Sequence, residues 1–241
     1  MEVYLNSVHG LDDAIVSMFL SKRTLTRELE EDIRQTYYKL YEMDGYPMYM
    51  FEDEFTEKFK KWTESLFKWG WRHMTMLKFI DLSFTVYGLH RAGQDDWDSH
   101  AKRMDNRIIR SSTRLAEYEE NEMSDYYKDK IIPTDKALEI IKFKKPDEIE
   151  YNGETYVKSP NGYIKKGMEN DKDVKRGLYM LSIPSNFIFK INLAEFAHIY
   201  KERNKNGTAN PEVKELCEEC VDQLSQFIPE IDREYLEKIK N

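Results

Sequence analysis

The chain has 241 residues and a formal net charge of −8, with 40% hydrophobic and 34% charged residues. No apolar run approaches the roughly 18 residues that cross a membrane, and the aromatic content of 13% is too high for a disordered chain. The negative charge disfavours a protein that coats DNA or RNA, but it permits a small anionic ligand held by a local group of arginines.

The first half of the chain is mainly helical in pattern. Apolar residues at spacings of three or four predict helices over three segments: Asp12–Leu20, Thr26–Met43 and Glu52–Trp69. A short strand is expected at Glu2–Asn6, and a longer one at Met76–Tyr87, where apolar and polar residues largely alternate. The polar segment Gln94–Ile109 is compatible with a helix.

The second half contains a clear hairpin signal. Glu148–Lys166 holds two short strand patterns around Asn152-Gly153, the dipeptide typical of a two-residue hairpin loop, and a second turn follows. This pattern predicts a β-hairpin or a three-stranded flap. Helices are predicted in three other segments: Thr134–Ile141, with Thr134 as its cap, the end of Asn186–Arg203 before Gly207, and Pro211–Phe227. A last turn is expected at Tyr235–Lys240.

The segment Arg107–Arg114 (RIIRSSTR) concentrates groups that bind phosphate. Between its last two arginines lie the hydroxyl residues Ser111, Ser112 and Thr113. Guanidinium groups match phosphate oxygens, and hydroxyl groups add neutral donors at close range. The alternative is a solvated basic helix face that pairs with the acidic run Glu117–Glu120.

A second group of polar residues follows an apolar run near residue 190. Asn192 and Arg203 are separated by about three helical turns, so they are predicted to share one face, with His198 offset from them. Arg176 lies on the other side of the apolar run. The alternatives are that Arg203 is a cation at a helix C-terminus and that His198 belongs to the core.

Other motifs carry less information. His73-Met74-Thr75 fits either the mouth of a site or an ordinary loop. Cys217 and Cys220 lie in a helical pattern with acidic neighbours, which raise thiol pKa values, so we interpret both as structural. Two cysteines form no disulfide framework and no signal peptide is apparent, so a cytoplasmic location is expected. His90, His100, Asp95 and Asp96 match no metal-binding pattern, and no metal ligand is predicted.

Taken in order, these residues resemble the flavin-dependent thymidylate synthases. In that family an arginine precedes a Leu-Pro-rich stretch, an aromatic run ends in Asn, and a His and a helix-closing Arg follow. Arg176, Asn192, His198 and Arg203 occupy these places here. His73-Met74-Thr75 is similar to the family's His-Glu-Thr-Pro loop, and Ser112-Thr113-Arg114 is similar to the Ser-x-Arg that ends its signature motif.

The chain also departs from the family pattern. The signature begins Arg-His-Arg, whereas this chain has Lys102-Arg103-Met104 at the gapless position. Arg110 stands in place of the signature's glutamate, Ala194 in place of an arginine, and Ala209-Asn210 in place of Ala-Gln. These departures leave open a related flavin-dependent enzyme that modifies a pyrimidine nucleotide, for example by hydroxymethylation, or a non-catalytic nucleotide-binding homologue.

The resemblance implies an α/β (α+β) fold of the thymidylate synthase-complementing-protein type, with a mixed or antiparallel sheet flanked by helices. It implies one domain over residues 1–241, in which the hairpin 148–166 is an insertion. The implied reaction is reductive methylation of dUMP to dTMP, with FAD as cofactor and methylenetetrahydrofolate and NADPH as co-substrates. The implied assembly is a homotetramer with active sites at subunit junctions, and neither nucleic acid nor membrane is an expected partner.

The resemblance also distributes roles among the residues. It assigns dUMP binding to five of them: Ser112, Thr113, Arg114, Arg176 and Arg203. It assigns flavin contacts to five others: His73, Thr75, Arg103, Asn192 and His198. No residue is assigned as a nucleophile, because in this family no enzyme cysteine attacks the uracil.

Overall fold

The computed structural model describes the chain except for residues 43–53, 100–105, 113–122, 128–131, 160, 172–173, 175–177, 179–180 and 240–241. The chain divides into two compact units. The first unit comprises residues 1–86, 96–109 and 188–241, and the second comprises residues 87–95 and 110–187. The single domain over residues 1–241 stays a prediction.

The described parts of the chain contain both helices and strands. The helices in chain order are α1 Leu11–Ser21, α2 Arg27–Glu42, α3 Glu54–Gly70, α4 Met74–Leu77, α5 Arg91–Ser99, α6 Thr134–Ile140, α7 Leu193–Arg203, α8 Pro211–Phe227 and α9 Arg233–Lys238. The strands in chain order are β1 Glu2–His9, β2 Asp81–His90, β3 Asn106–Arg110, β4 Glu148–Tyr151, β5 Glu154–Ser159, β6 Gly162–Lys165 and β7 Pro184–Asn192. None of these helices is long and apolar enough to cross a membrane.

Four strands form one sheet in the order β1-β2-β7-β3. The alternation predicted for β2 places Leu82, Phe84 and Val86 in the core. Phe84 stacks on Phe189 with ring centroids 5.2 Å apart and on Phe196 of α7 at 6.1 Å. An aromatic layer therefore fixes α7 to the sheet.

One glycine is required where β1 turns into α1. Gly10 has a φ of 78°, and a Cβ at this position would lie 2.0 Å from the carbonyl oxygen of Phe79. A side chain is excluded both by the left-handed backbone and by this close approach.

Helix α7 is the most deeply buried helix that bears predicted site residues. It packs against α4, α8 and α9, and most of its residues are buried. The predicted end of this helix at Arg203 is confirmed, but the stop is not made by Gly207, because Asn204 directly after the helix already has extended backbone.

The hairpin prediction is confirmed. Strands β4, β5 and β6 form a separate antiparallel sheet in the second unit. Asn152 and Gly153 connect β4 to β5 with φ values of 52° and 76°, the left-handed conformations that a tight hairpin loop requires. Its origin as an insertion stays a prediction.

Three other predictions need correction. Met76 and Leu77 belong to α4, and the strand expected from Met76 begins at Asp81. The helix expected over Gln94–Ile109 is wrong at its end, where Asn106–Arg110 is a strand; the β-branched pair of isoleucines favours that conformation. Thr134 does not cap α6, because Pro133 occupies the cap position and makes no side-chain hydrogen bond.

Candidate active site

The N-terminus of α7 is fixed by Asn192. Its side-chain oxygen accepts a hydrogen bond of 2.9 Å from the backbone N–H of Glu195, which satisfies one of the free donors at the start of the helix. Asn192 is buried, and the backbone N–H of Leu193 donates to the carbonyl of Ile80 at 2.8 Å. The predicted flavin residue Asn192 therefore has a structural role as a helix cap, and its cofactor role stays a prediction.

The C-terminus of α7 carries a buried arginine. Arg203 is only 7% exposed, and its Nη2 lies 2.9 Å from Oδ1 of Asp96. Its Nε is also buried but has no hydrogen-bond acceptor among the residues that the structure describes. A buried N–H without an acceptor costs about 1–3 kcal/mol, so the oxygen of a bound ligand would be a favourable partner.

Asp96 connects the end of α7 to the start of α8. Its Oδ2 accepts from the backbone N–H of Asn210 at 3.4 Å, and the side chain of Asn210 caps α8 by accepting from Glu212 at 3.0 Å. We call Asp96, Arg203 and Asn210 the Arg203 cluster. Asp96 carries no local sequence signal for this role, because its partner Arg203 is more than a hundred positions away.

A short helix carries the predicted residues His73 and Thr75. Both are exposed at the start of α4, which packs against α7. The imidazole of His73 stacks on Trp69, with ring centroids 6.0 Å apart and planes at 22°. The first unit therefore brings the His73 segment and the helix of the half-buried His198 together, although they are far apart in sequence.

The second unit positions Ser112 through its neighbour. The backbone N–H and the hydroxyl of Ser111 both donate to the carbonyl of Asn186, at 2.8 and 3.0 Å. The side-chain oxygen of Asn186 in turn accepts from the backbone N–H of Gly88 at 3.0 Å. Ser112 is exposed and follows directly on this anchored end of β3.

Two arginines and an amide surround the same strand end. Arg110 forms an ion pair with Asp95, and its Nη2 donates to the backbone carbonyl of Gln94 at 3.1 Å. Nη1 of Arg91 lies 3.4 Å from both Oε1 of Gln94 and the carbonyl oxygen of Ser111. We call Arg91, Gln94, Asp95 and Arg110 the Arg110 cluster. The sequence marks Arg110 as a replacement of the family's glutamate, but it does not predict that these four residues meet.

The remaining histidine and cysteine candidates are structural. His90 is buried, and its Nε2 lies 3.1 Å from the hydroxyl of Tyr127. Among the described residues no group of three potential ligands is placed to hold a metal; His100 lies outside them. Cys217 and Cys220 are buried free thiols, and burial raises the pKa of both well above the usual range.

Four predicted site residues lie outside the described residues: Arg103, Thr113, Arg114 and Arg176. Of the others, Ser112 belongs to the second unit, and His73, Thr75, Asn192, His198 and Arg203 belong to the first. The ligand roles of all ten stay predictions.

Comparison with known proteins decides the family. The family model described as thymidylate synthase complementing protein matches residues 22–230. The chain belongs to this family. The resemblance found in the sequence is thereby confirmed, together with the expected fold of sheets flanked by helices.

Solved structures show the same fold at low sequence identity. Thymidylate synthase X from Helicobacter pylori, crystallised with FAD and dUMP, is 15% identical, with a TM-score of 0.56 over 98% of this chain and 99% of that one. A second structure of the Helicobacter pylori enzyme with FAD and dUMP is 16% identical, with a TM-score of 0.50 over 95% and 97%. The UMP/dUMP methylase PolB from Streptomyces cacaoi, bound to 5-Br dUMP, is 11% identical, with a TM-score of 0.54 over 98% and 93%. No curated protein matches the sequence.

Proposed function

We propose that this chain is a flavin-dependent thymidylate synthase that methylates dUMP to dTMP, with methylenetetrahydrofolate as carbon donor and NADPH as reductant. The family membership supports this proposal. The observation that carries it is the buried guanidinium of Arg203, which is held by Asp96 and has one N–H for which no described residue is the acceptor.

In this proposal the nucleotide is bound by hydrogen-bond donors from several segments. Arg203 offers its buried Nε to an oxygen of dUMP, while Asp96 fixes the orientation of the guanidinium. The exposed residue Ser112 lies beside Thr113 and Arg114 in sequence, and these residues with Arg176 complete the predicted donor set. Charge-assisted donors of this type are the strong ligands of phosphate.

The described residues fit a flavin in one respect: exposed polar side chains lie next to an exposed aromatic surface. His73 stacks on Trp69, which is 43% exposed, and Thr75 is exposed on the adjoining α4. With Arg103, Asn192 and His198, these residues would hold FAD. When bound, FAD supplies the redox chemistry by which the transferred carbon is reduced to a methyl group.

The protein contributes no cysteine nucleophile in this proposal. Cys217 and Cys220 are buried and free, and burial raises the pKa of both thiols. A protonated, solvent-inaccessible thiol is a poor nucleophile. Binding and orientation of the substrates are therefore the tasks left to the polar side chains named above.

A second candidate is a flavin-dependent enzyme that gives another pyrimidine nucleotide product. It is favoured by Arg110, which replaces the family's glutamate and is engaged by Asp95 and by the carbonyl of Gln94. A position occupied by this ion pair offers a ligand a different charge pattern from that of a free carboxylate.

Purification and product analysis test both candidates. The purified protein is expected to show flavin absorbance, to bind dUMP and to release dTMP when supplied with methylenetetrahydrofolate and NADPH. Arg203→Ala is expected to weaken dUMP binding by about 1.5–3 kcal/mol. The matched control Arg233→Ala, which removes a partly exposed arginine paired with Glu218 and Asp222, should leave it unchanged.

The outcomes separate the alternatives. A product of different mass from dUMP or dCMP would favour the second candidate, and dUMP binding without turnover would identify a non-catalytic homologue. A colourless protein that binds no added FAD would overturn both enzymatic candidates. We also propose a cytoplasmic homotetramer; a monomer by light scattering at assay concentration would contradict that assembly.

A further inference from the structure

A cleft in the second unit lies outside all the predicted site residues. It has a volume of about 530 Å³ and is lined by the end of α6, the segment that follows it, and β5; the lining residues are Asp135, Leu138, Glu139, Lys142, Phe143, Lys144, Lys145, Asp147 and Lys158. Clefts of this size take ligands as large as a nucleotide.

The floor of the cleft is held by a buried carboxylate. Asp135 is 5% exposed, forms an ion pair with Lys145 and accepts from the backbone N–H of Asn161 at 3.0 Å. The Nζ of Lys145 also lies 5.4 Å from the ring centroid of Tyr163. Both charges of the floor are thus paired within the protein.

The exposed lysines of the lining differ from Lys145. Lys142, Lys144 and Lys158 are exposed, and none of them forms an ion pair with a described residue. Of the other acidic lining residues, Glu139 pairs at 3.2 Å with Lys136, which lies outside the lining, and Asp147 is exposed. The lining therefore carries four lysines against three carboxylates, and three of these lysines make no ion pair with a described residue.

The backbone presents these groups in a defined conformation. Lys142 has a φ of 58°, in the left-handed region that non-glycine residues rarely adopt. The backbone N–H of Phe143 donates to the carbonyl of Leu138 at 2.8 Å, which closes the turn at the end of α6. The turn carries Phe143 to the lining of the cleft, where it is 58% exposed.

We propose that this cleft binds a nucleoside triphosphate, with its phosphates on Lys142, Lys144 and Lys158 and its base on the ring of Phe143. Lysine ammonium groups neutralise phosphate charge, and an aromatic face stacks on any base. The net charge of −8 of the chain opposes a long polyanion but permits a compact one in a local cationic cleft. None of the lining residues belongs to the proposed active site, and this proposal does not depend on the function of that site.

The experiment is calorimetric titration of the full chain with ATP and with dTTP, in low salt and with saturating dUMP to occupy the proposed active site. Both nucleotides should bind with similar affinity, because stacking on phenylalanine does not select a base. Lys144→Ala should weaken binding about fivefold and Lys142→Ala with Lys144→Ala at least about tenfold. The control Lys136→Ala, on α6 but outside the lining, should change it less than about twofold.

A second pair of variants tests the base contact. Phe143→Ala should weaken ATP binding while leaving the binding of inorganic tripolyphosphate unchanged, and Ile141→Ala, an exposed neighbour outside the lining, should affect neither. Equal binding of ATP and tripolyphosphate to the unaltered protein would overturn the base contact.

Two results would overturn the whole proposal. One is unchanged ATP binding in the lysine variants when circular dichroism shows that they are folded. The other is tighter binding of a single-stranded oligonucleotide than of ATP. Arg203→Ala should not change ATP binding, so failure here is distinct from failure of the proposed function.

Discussion

Helix α7 and the β4-β5-β6 sheet were both predicted from short sequence patterns, yet they differ in how they are coupled to the rest of the molecule. Most residues of α7 are buried, and the helix carries Asn192 and Arg203 at its two ends. In the three-stranded sheet only Ile164 is buried. We therefore expect substitutions in α7 to change stability and the candidate site together, and substitutions in the sheet to act locally.

The largest effect is expected for Phe196→Ala. Phe196 is fully buried on α7 and stacks on Phe84, so its truncation should lower the free energy of unfolding by about 3–5 kcal/mol. Urea denaturation measures this change. Tyr156→Ala in the three-stranded sheet is the control and should lower the free energy of unfolding by less than about 1 kcal/mol. Equal losses in the two variants would contradict the expected difference between α7 and the sheet.

Arg203→Ala is expected to come next. It leaves the carboxylate of Asp96 without its partner, and because that side chain is 29% exposed, we expect a loss of about 2 kcal/mol, less than for a fully buried pair. The double variant Arg203→Ala with Asp96→Asn should recover part of the loss in a thermodynamic cycle. Purely additive losses would show that the two side chains do not interact.

Asn192→Ala should lower the free energy of unfolding by about 1 kcal/mol, because the cap of α7 is lost. Asn192→Ser retains a capping oxygen and should restore stability. Flavin affinity then separates the two roles of the residue: a stable Asn192→Ser variant that still binds FAD normally would show that Asn192 acts only as a cap.

Gly153→Ala should have a smaller effect. Gly153 has a φ of 76° and no neighbouring atom where a Cβ would lie, so the cost is backbone strain of under about 1 kcal/mol. Proteolysis of the hairpin should become faster while dUMP binding remains unchanged. A loss of dUMP binding would contradict the local behaviour that we expect of this sheet.

The cysteines should show the smallest effect at neutral pH. Because burial raises the folded-state pKa of Cys217 and Cys220, the thiols stay protonated in the folded protein and ionise in the unfolded chain above about pH 8.5. Stability should therefore fall as the pH rises above that value, and Cys217→Ala should reduce the fall. Rapid labelling of the native protein by a thiol reagent would contradict the burial.

Patterns with a strong periodic signal were predictable, whereas long-range partners were not. The apolar stripe of α3 and the Asn-Gly turn of the hairpin depend on neighbouring residues, and the structure confirms both. The short α4 was missed because its apolar residues also fit a strand, and only tertiary packing decides between the two.

In the candidate site, too, residues with a local sequence signal were predictable and their long-range partners were not. The spacing to Asn192 and the family resemblance predict Arg203 as a site residue, but its partner Asp96 carries no local signal, and the pairing exists only after α5 and α8 are positioned. In the same way, Arg91 and Gln94 meet Arg110 and Ser111 through the geometry of a strand end. The spacing of residues along the sequence does not predict contacts of this kind.

The enclosure of the Arg203–Asp96 pair has a consequence for solution conditions. Mobile counter-ions screen charges in contact with water, with a Debye length of about 10 Å at 0.1 M salt, but they screen enclosed pairs much less. Added potassium chloride should thus displace an anion from open lysines such as Lys144 long before it loosens this guanidinium from its carboxylate. Measuring nucleotide binding at increasing salt concentration would therefore distinguish contacts to enclosed charges from contacts to exposed ones.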